Sequence, residues 1–465
     1  MIRKLLLSPP LAFARLGPSE TPCDSFHWAP SDLRPRGTGK TMIVPAETLR
    51  VAPDGSVTSS VPEEIVFKDA VGIRPVCPFF ELHAQWDLDG VMRTGPLTPR
   101  VLETFGLEAR DLAWRVEVAN LKPFHYTLDS DDRIFASLEL AGDVTTRQPL
   151  LARSPPQARR PLIPRTRLLP LGAVQLTRPT GEFPEFRLRF TPAAGAVYGP
   201  TDLPQRTRTY RLPTERLILN PAAPWSRFRI VDDPRTNPGG LFAGAEEGGR
   251  SLGLVDDVCD GIIRCSLAGA APAEARIVVG PPDYAPDRRP FVSIADGLTD
   301  RVRRADVSDP SYVENEDLTS QEVRDLMERV LETMENVNVD VQNDRARREN
   351  RVIAMAEGRP LEEAANQAFP AIEPVLGRPF PLTERGRQPH RRFVALEVFE
   401  DILREQPELI SRWIREPLTG DRYYDRKMPA VMRGSDRMPM HLTRRQYELL
   451  VAWARHLHRR AQEGT

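Results

Sequence analysis

Candidate chemistry in this sequence is carried by small groups of acidic residues. Asp256, Asp257 and Asp260 lie close together before Gly261, and hard cations prefer such clusters of carboxylate oxygens. The spacing does not place oxygen ligands at the alternate positions that a calcium-binding loop requires. An Asp beside a Gly more often builds a turn, because its side chain bonds the nearby backbone. We therefore expect a turn rather than a metal site here, and the same at Asp129, Asp131 and Asp132.

A phosphate-binding loop is suggested by the string from Arg36 to Thr41, RGTGKT. The mechanism of such loops needs a further Gly, five residues before the Gly that precedes Lys40, so that backbone amides wrap the phosphates. Arg34 occupies that position, and no convincing apolar strand comes before it. We therefore predict an ordinary loop without nucleotide binding.

Cysteine and histidine residues offer no ligand set or nucleophile. Cys259 and Cys265 would face the same side of a strand, with Cα atoms about 20 Å apart, which is too far for a disulfide. We expect both to be buried apolar residues. His456 and His458 do not share a helix face and make a poor metal pair. Neither HExxH nor GxSxG occurs, so the residues name no catalytic group, no cofactor and no metal.

Length and composition exclude several classes of protein. The 465 residues exceed what one hydrophobic core usually supports, so two or three structural units are expected. The formal net charge of -1 gives no electrostatic reason to expect nucleic acid or an anionic membrane as a partner. No apolar run approaches the roughly 18 residues of a bilayer span. Four cysteines are too few for a disulfide scaffold.

The amino terminus has a basic tip and a short apolar run, Met1 to Leu7, with Ala12 to Ala14 resembling a cleavage site. A signal peptide needs an unbroken apolar core of about 7–15 residues, and Ser8-Pro9-Pro10 interrupts this one early. We predict a first β-strand instead, and a cytoplasmic protein.

Short strands are expected up to about residue 300. Alternation of apolar and charged residues predicts strands with one exposed face at Trp114–Val118, Phe186–Phe190 and Tyr210–Leu212, and Ala275–Val279 indicates a more buried strand. Residues 148–170 are crowded with Pro and Arg, which favours an extended arm or crossing loop.

Helices are expected after about residue 310. Thr319 with Glu322, and Thr443 with Gln446, are capping-box patterns. Pro407 can sit in the first turn of another helix. Apolar residues at helical spacing accompany these patterns: Val323, Leu326, Met327, Val330, Leu331 and Met334; Phe393, Leu396, Phe399, Ile402 and Leu403; Tyr447, Leu450, Val451, Ala454 and Leu457.

The fold class predicted from these patterns is α+β. A β-rich body with antiparallel sheets is expected over residues 1–310, and a mainly helical part over residues 311–465.

Three strings in the first half of the chain resemble segments of a known protein family. They are Pro10–Ser19 (PLAFARLGPS), Phe67–Ala70 (FKDA, with Gly72 close behind) and Trp114–Lys122 (WRVEVANLK). They resemble the opening ARVGNS strand, the FKD segment and the WxVxxANxK strand of the lysine ε-oxidase (LodA-like) family. That family comprises the cysteine-tryptophylquinone amino-acid oxidases.

The second half continues the resemblance in the same order. Val255–Gly261 is similar to the family's DDVSDG turn, with Cys259 in place of Ser, and Val279–Pro286 is similar to its PPDFAP segment. Met428-Pro429, Leu442–Tyr447 and Trp453-Ala454 resemble its MP…LTxxQYxxLxxWA stretch. The resemblance recasts the Asp256–Asp260 cluster as a turn between strands.

The departure concerns the cofactor. In the family, the chain continues beyond the WA helix, and that continuation carries the Cys and Trp that become the quinone. Here no Cys follows Cys265, and the sequence ends at Thr465, twelve residues after Trp453. No position matches the family's Cys–Trp pair, so we expect no tryptophylquinone and carry over no catalytic residue.

Two functions are the main alternatives from the sequence, and a purely structural homo-oligomer is a third. The first is a LodA-like scaffold without the quinone, which acts as a binding or assembly module in amino-acid or peptide metabolism. Its partners would be an amino acid or peptide ligand, or another protein. The second is an active oxidoreductase on amino-acid or peptide amines, similar to an L-lysine 6-oxidase. It would use another cofactor, a nonequivalent Cys–Trp pair or a partner chain that completes the site.

Overall fold

The computed structural model describes most of the chain. The described residues are 1–29, 42–208, 210–229, 251–283, 285–286, 288–335, 355, 358, 400–417, 432–433 and 438–463. The chain divides into two compact units. Met1–His27 and Val44–Tyr284 form the first unit, and Trp28–Ile43 and Ala285–Thr465 form the second.

Most of the strands belong to the first unit, and the last two belong to the second. In chain order they are β1 (Ile2–Ser8), β2 (Leu11–Arg15), β3 (Phe26–Ala29), β4 (Met42–Pro45), β5 (Thr48–Val51), β6 (Val57–Ser60), β7 (Phe79–Leu88), β8 (Val91–Pro96), β9 (Ala113–Asn120), β10 (Ile134–Ala141), β11 (Gln148–Ala152), β12 (Leu169–Leu176), β13 (Arg187–Pro192), β14 (Val197–Pro200), β15 (Leu217–Leu219), β16 (Val255–Asp256), β17 (Asp260–Ser266), β18 (Ala273–Gly280), β19 (Met432–Arg433) and β20 (Met438–Pro439).

The longer helices belong to the second unit. The helices are α1 (Pro99–Thr104), α2 (Lys122–Thr127), α3 (Leu203–Arg206), α4 (Pro224–Arg227), α5 (Ile294–Arg303), α6 (Pro310–Val313), α7 (Glu316–Glu335), α8 (Leu409–Trp413) and α9 (Arg444–Glu463). No helix in the described part of the chain is both long and apolar enough to cross a membrane.

Two large sheets form most of the first unit, and a three-stranded sheet of β15, β14 and β16 and a hairpin of β5 and β6 add to it. A six-stranded sheet runs in the order β1-β7-β13-β12-β11, with β8 paired to β7, and a five-stranded sheet runs in the order β10-β9-β17-β18-β2. Their pairs are antiparallel except for β18 with β2. An isolated bridge between Phe135 and Arg153 joins the edge of one sheet to the end of the other. The observed fold is α+β, as predicted.

One contiguous apolar core is shared by both sheets. Strand β9 shows how the sequence creates it, since Trp114, Val116 and Val118 are buried while Arg115 is exposed. On the opposite face of this sheet, charged side chains pair across the strands. Alternation with a period of two therefore separates an apolar face from a face of ion pairs.

Helix α9 organises the second unit through its first turn. The Arg445 side chain is buried, and its Nη1 donates to Glu322 Oε2 at 2.8 Å, with Tyr312 beside both groups. The Arg445 backbone N–H donates to Asp300 Oδ1 at 2.6 Å, and its Nε donates to the Arg303 carbonyl. One residue thus ties α9 to α5, α6 and α7.

Several local predictions are confirmed. The first strand, the strands at Trp114–Val118 and Ala275–Val279, and most of the strand at Phe186–Phe190 are present. The capping box before α9 is present too: the Thr443 N–H donates to Gln446 Oε1, and the Gln446 N–H donates to Thr443 Oγ1.

Other predictions are wrong. Tyr210–Leu212 is not a strand. Tyr210 is exposed, and Leu212 packs against the small cluster of Leu203, Leu252 and Leu254. Residues 148–170 are not an arm throughout, since they begin with β11 and end in β12. Both strands pair in the six-stranded sheet, which satisfies their backbone groups.

The start of α7 also differs from the prediction. The helix begins at Glu316, because Asn315 Oδ1 accepts the N–H of Leu318 and serves as the cap. Thr319 lies inside the helix, and its hydroxyl donates to the Asn315 carbonyl. Pro407 precedes α8 rather than lying in its first turn. The predicted helix at Phe393 to Phe399 falls outside the described residues, and residues 400–405 are helical.

Replacing Glu322 with Gln should destabilise the second unit by about 2 kcal/mol, because Arg445 would stay buried without a carboxylate partner. Urea unfolding followed by tryptophan fluorescence measures the loss. Glu448→Gln is the matched control: its partner Arg444 is exposed, so a change of about 0.5 kcal/mol or less is expected. Equal losses in the two variants would contradict this account of α9.

Candidate functional site

A polar joint connects the end of β9 to the turn before β17. Lys122 Nζ lies 2.6 Å from Asp256 Oδ2, and Asn120 Nδ2 donates to the Asp256 carbonyl at 2.8 Å and to Oδ1 at 3.2 Å. The side chain of Asn120 also accepts the backbone N–H of Lys122 at 3.1 Å. Two strings that the sequence shows far apart, ANLK and DDVCDG, therefore meet at one carboxylate.

Asp257 points away from this joint into the protein. Its side chain is buried, and Oδ2 accepts the Ala196 N–H at 2.7 Å. Oδ1 is buried without a hydrogen-bond partner among the described residues. Burial raises the pKa of Asp257 to about 6, the Ala196 N–H opposes that rise, and the neighbouring Asp256 charge adds to it.

A second buried carboxyl lies at the other end of α2. Asp132 is fully buried, its Oδ2 accepts the Thr127 hydroxyl at 2.6 Å, and its Oδ1 has no partner in the described part of the chain. Burial raises the pKa of Asp132 to about 6, and the Thr127 hydroxyl offsets part of that rise. Helix α2 ends at Thr127, because Leu128 takes a left-handed conformation, φ 55°, and its N–H donates to the Phe124 carbonyl.

Three aromatic rings pack together beside helix α2. Tyr126 and Trp225 stack with ring centroids 5.8 Å apart, and Trp225 stacks on Phe228 at 6.1 Å. The indole N–H of Trp225 donates to the Leu254 carbonyl at 3.0 Å, two residues before Asp256.

The acidic residues singled out from the sequence fold into turns. The side chain of Asp129 accepts the N–H of Asp131, and the side chain of Asp131 accepts the N–H groups of Arg159 and Arg160. Asp256 is held by Lys122 and Asn120, as described above. In the described residues no group of three or more His, Cys, Asp or Glu side chains could hold a metal ion. The RGTGKT string lies outside the described residues.

The thiols are free, and Cys259 and Cys265 are buried, as predicted. Burial raises the pKa of both thiols far above the ordinary value. Strand pairing places Cys265 directly opposite Trp114, a neighbour relation that the sequence did not reveal. Finding this neighbour relation would have required pairing residues 113–120 with residues 260–266 as adjacent antiparallel strands in the correct register.

A tryptophylquinone requires a Cys sulfur bonded to an indole ring that a substrate amine can reach. Cys265 and Trp114 are 0% and 1% exposed, inside the core of the two sheets. A substrate has no route to this pair, so these residues do not fit such a group.

The remaining strings with the family resemblance form further joints. The Ser19 hydroxyl donates to the Asp69 carboxylate, which also accepts the N–H groups of Val71 and Gly72. A Cβ on Gly17 would lie 2.4 Å from the Ile73 carbonyl oxygen, so only glycine fits there. In these strings, side-chain hydrogen bonds or a close backbone approach hold a loop against a neighbouring segment.

Comparison with known proteins finds structural likeness only. No protein-family model matches the chain, and no curated protein does. The fold resembles three solved structures of the L-Lys ε-oxidase from Marinomonas mediterranea. A structure of that oxidase has 14% identity and a TM-score of 0.44, and the alignment covers 97% of this chain and 61% of the oxidase chain. A second has 16% identity and a TM-score of 0.32, with 65% and 39% covered.

The third structure is the Schiff base intermediate of that oxidase with L-Lys, at 15% identity and a TM-score of 0.31, with 65% and 39% covered. The chain therefore spans between 39% and 61% of the length of these oxidase chains. Likeness at this level concerns the fold and gives no residue a role.

Replacing Asp257 with Asn should stabilise the protein at pH 8 by about 1–2 kcal/mol and have little effect near pH 4. The pKa of Asp257 is raised to about 6 in the folded state, against about 3.9 in the unfolded chain. The folded state therefore binds the proton more tightly, and its stability falls as the pH rises from about 4 to about 6.

Chemical unfolding of both proteins at pH 4.5, 6 and 8 measures this difference. Asp256→Asn serves as the control, because it removes an ion pair with Lys122 and should not stabilise the fold at pH 8. Destabilisation by Asp257→Asn of the same size at every pH would show that burial of this carboxyl is not the cause.

Proposed function

We propose that the chain is a LodA-like scaffold that carries no tryptophylquinone and acts as a binding or assembly module in amino-acid or peptide metabolism. A cytoplasmic location is part of this proposal. The observation that supports it most is the role of the resembling strings: Ser19 bonds Asp69, and Lys122 pairs with Asp256, so these side chains hold the backbone in place.

The thiols support the same proposal. The sequence has four cysteines, and the one placed opposite a tryptophan, Cys265, is sealed in the core with its partner. Cys77 lies elsewhere in the first unit, and burial raises the pKa of its thiol to about 11. A thiol in such surroundings is a poor nucleophile at neutral pH.

The alternative is an active oxidoreductase that acts on amino-acid or peptide amines with another cofactor or a partner chain. Asp132 and Asp257 favour it, because both carboxyls have a pKa of about 6. A pKa near the working pH suits a general acid or base. Both groups are buried, however, so this chemistry would require a change that admits a substrate.

Intact-mass measurement and a quinone redox stain test the first part of the proposal. We expect the mass of the unmodified sequence and no stain. A mass that has gained two oxygen atoms and lost hydrogen, together with a positive stain, would contradict it. Cys265→Ala is the control, because it abolishes any product built on the Cys265–Trp114 pair and leaves the other thiols in place.

Calorimetric titration with amino acids and dipeptides, run alongside a peroxide assay, tests the binding role. We expect saturable binding of at least one compound and no peroxide release with any, L-lysine and glycine included. Peroxide release would favour the oxidoreductase. Neither binding nor turnover would contradict a small-molecule role and leave assembly with another protein as the remaining form of the proposal.

A further inference from the structure

We infer that Arg189 and Arg147 form a binding site for a small oxyanion, such as a carboxylate or inorganic phosphate, on the outer face of the six-stranded sheet. Arg189 lies on β13, where Arg187, Arg189 and Thr191 share the half-buried face and the residues between them are buried. The Nε of Arg189 is buried and has no hydrogen-bond partner among the described residues. Within the described residues its guanidinium forms no ion pair.

Two other strand arginines have carboxylate partners, although Nη1 of one of them, Arg187, is also buried without a hydrogen bond. Arg187, two residues earlier on the same strand, lies 2.8 Å from Glu81 and 3.0 Å from Glu185. On the other sheet, Arg264 pairs with Glu117 at 2.6 Å and Glu274 at 3.0 Å. A desolvated cation without a counter-charge is costly, so proteins rarely bury part of one unpaired.

Arg147 brings a second positive charge to the same place. The amide Nε2 of Gln175, the cross-strand neighbour of Arg189, donates to the carbonyl of Thr145 at 3.1 Å. The hydroxyl of Thr145 donates in turn to the Asp54 carbonyl at 2.9 Å. This anchored loop ends at Arg147, which is exposed and forms no hydrogen bond or ion pair in the described part of the chain.

Neighbouring groups do not neutralise these charges. Burial raises the pKa of the Cys77 thiol to about 11, so it stays uncharged at neutral pH. The Gln175 amide is committed to backbone carbonyls, and Phe79 faces Arg189 from β7. Burial lowers the pKa of Arg189, the interaction with Cys77 opposes that shift, and the nearby charge of Arg147 adds to it.

An oxyanion would remove both costs at once. It would supply the counter-charge between two guanidinium groups that otherwise repel each other, and it would accept from the buried Nε. Guanidinium groups bind carboxylates and phosphates through two parallel hydrogen bonds, which favours planar or tetrahedral oxyanions over halides. Only the idea that the carboxylate belongs to an amino acid or peptide rests on the proposed function; the oxyanion site does not.

Titration calorimetry of the full chain at constant ionic strength tests the site, with acetate, glycine, glycylglycine and inorganic phosphate as probes. We expect saturable binding of at least one probe, and a dissociation constant at least about tenfold weaker in Arg189→Gln. Arg147→Gln should weaken it less, because Arg147 is exposed. Arg276→Gln, which makes the same charge change on the other sheet, should leave it unchanged.

Thermal unfolding in anion-poor buffer separates a binding role from a structural one. Arg189→Gln should unfold at the same temperature as the natural protein or higher, because the variant no longer buries an unpaired charge. A lower unfolding temperature, or binding that is absent or unaffected by Arg189→Gln, would overturn the inference. Binding of phosphate alone would retain the site and exclude its use for amino acids, whereas binding of the carboxylates supports that use.

Discussion

Packing two sheets around one shared apolar core places polar groups at several strand ends out of water, where they need partners inside the protein. Buried backbone and side-chain groups that lose water without replacing its hydrogen bonds cost free energy comparable to a large fraction of a domain's stability. The joint of Asn120 and Lys122 with Asp256 meets this requirement where β9 ends. Ser19 and Asp69 meet it where β2 ends and the following loop turns away.

The same constraint acts on residues in several of the short strings singled out in the sequence. A carboxylate that satisfies several donors, or a glycine that lies against a carbonyl such as Gly17, tolerates few replacements. Such residues preserve the frame of a fold without taking part in its chemistry. A resemblance built on such residues concerns the fold alone, and function has to be argued from other groups.

Those other groups are the ones that the frame leaves incompletely satisfied. Asp132 and Asp257 each bury one oxygen without a partner, and Arg189 buries part of a guanidinium without a counter-ion. The two acids respond by holding a proton to a higher pH, which reduces the cost of burial. Arginine has no such response near neutral pH because it stays protonated. An unpaired arginine is therefore a stronger reason to look for a ligand than a buried acid that can hold a proton.

Local patterns in the sequence determined the α+β class, the strand at Trp114–Val118 and the start of the last helix at Thr443. Each depends on neighbours within a few residues: side-chain alternation along a strand, or a cap that closes on the next turn. Thr319 shows the limit of such local patterns. Asn315 caps this helix instead of Thr319, and Glu322 forms an ion pair with Arg445.

Tertiary structure alone decided which charges would be buried and which would be paired. Nothing local distinguishes Arg189 from Arg187, or Asp257 from Asp256, because burial and pairing depend on strands that are distant in the chain. The pairing of Cys265 with Trp114 depends in the same way on the register between β17 and β9.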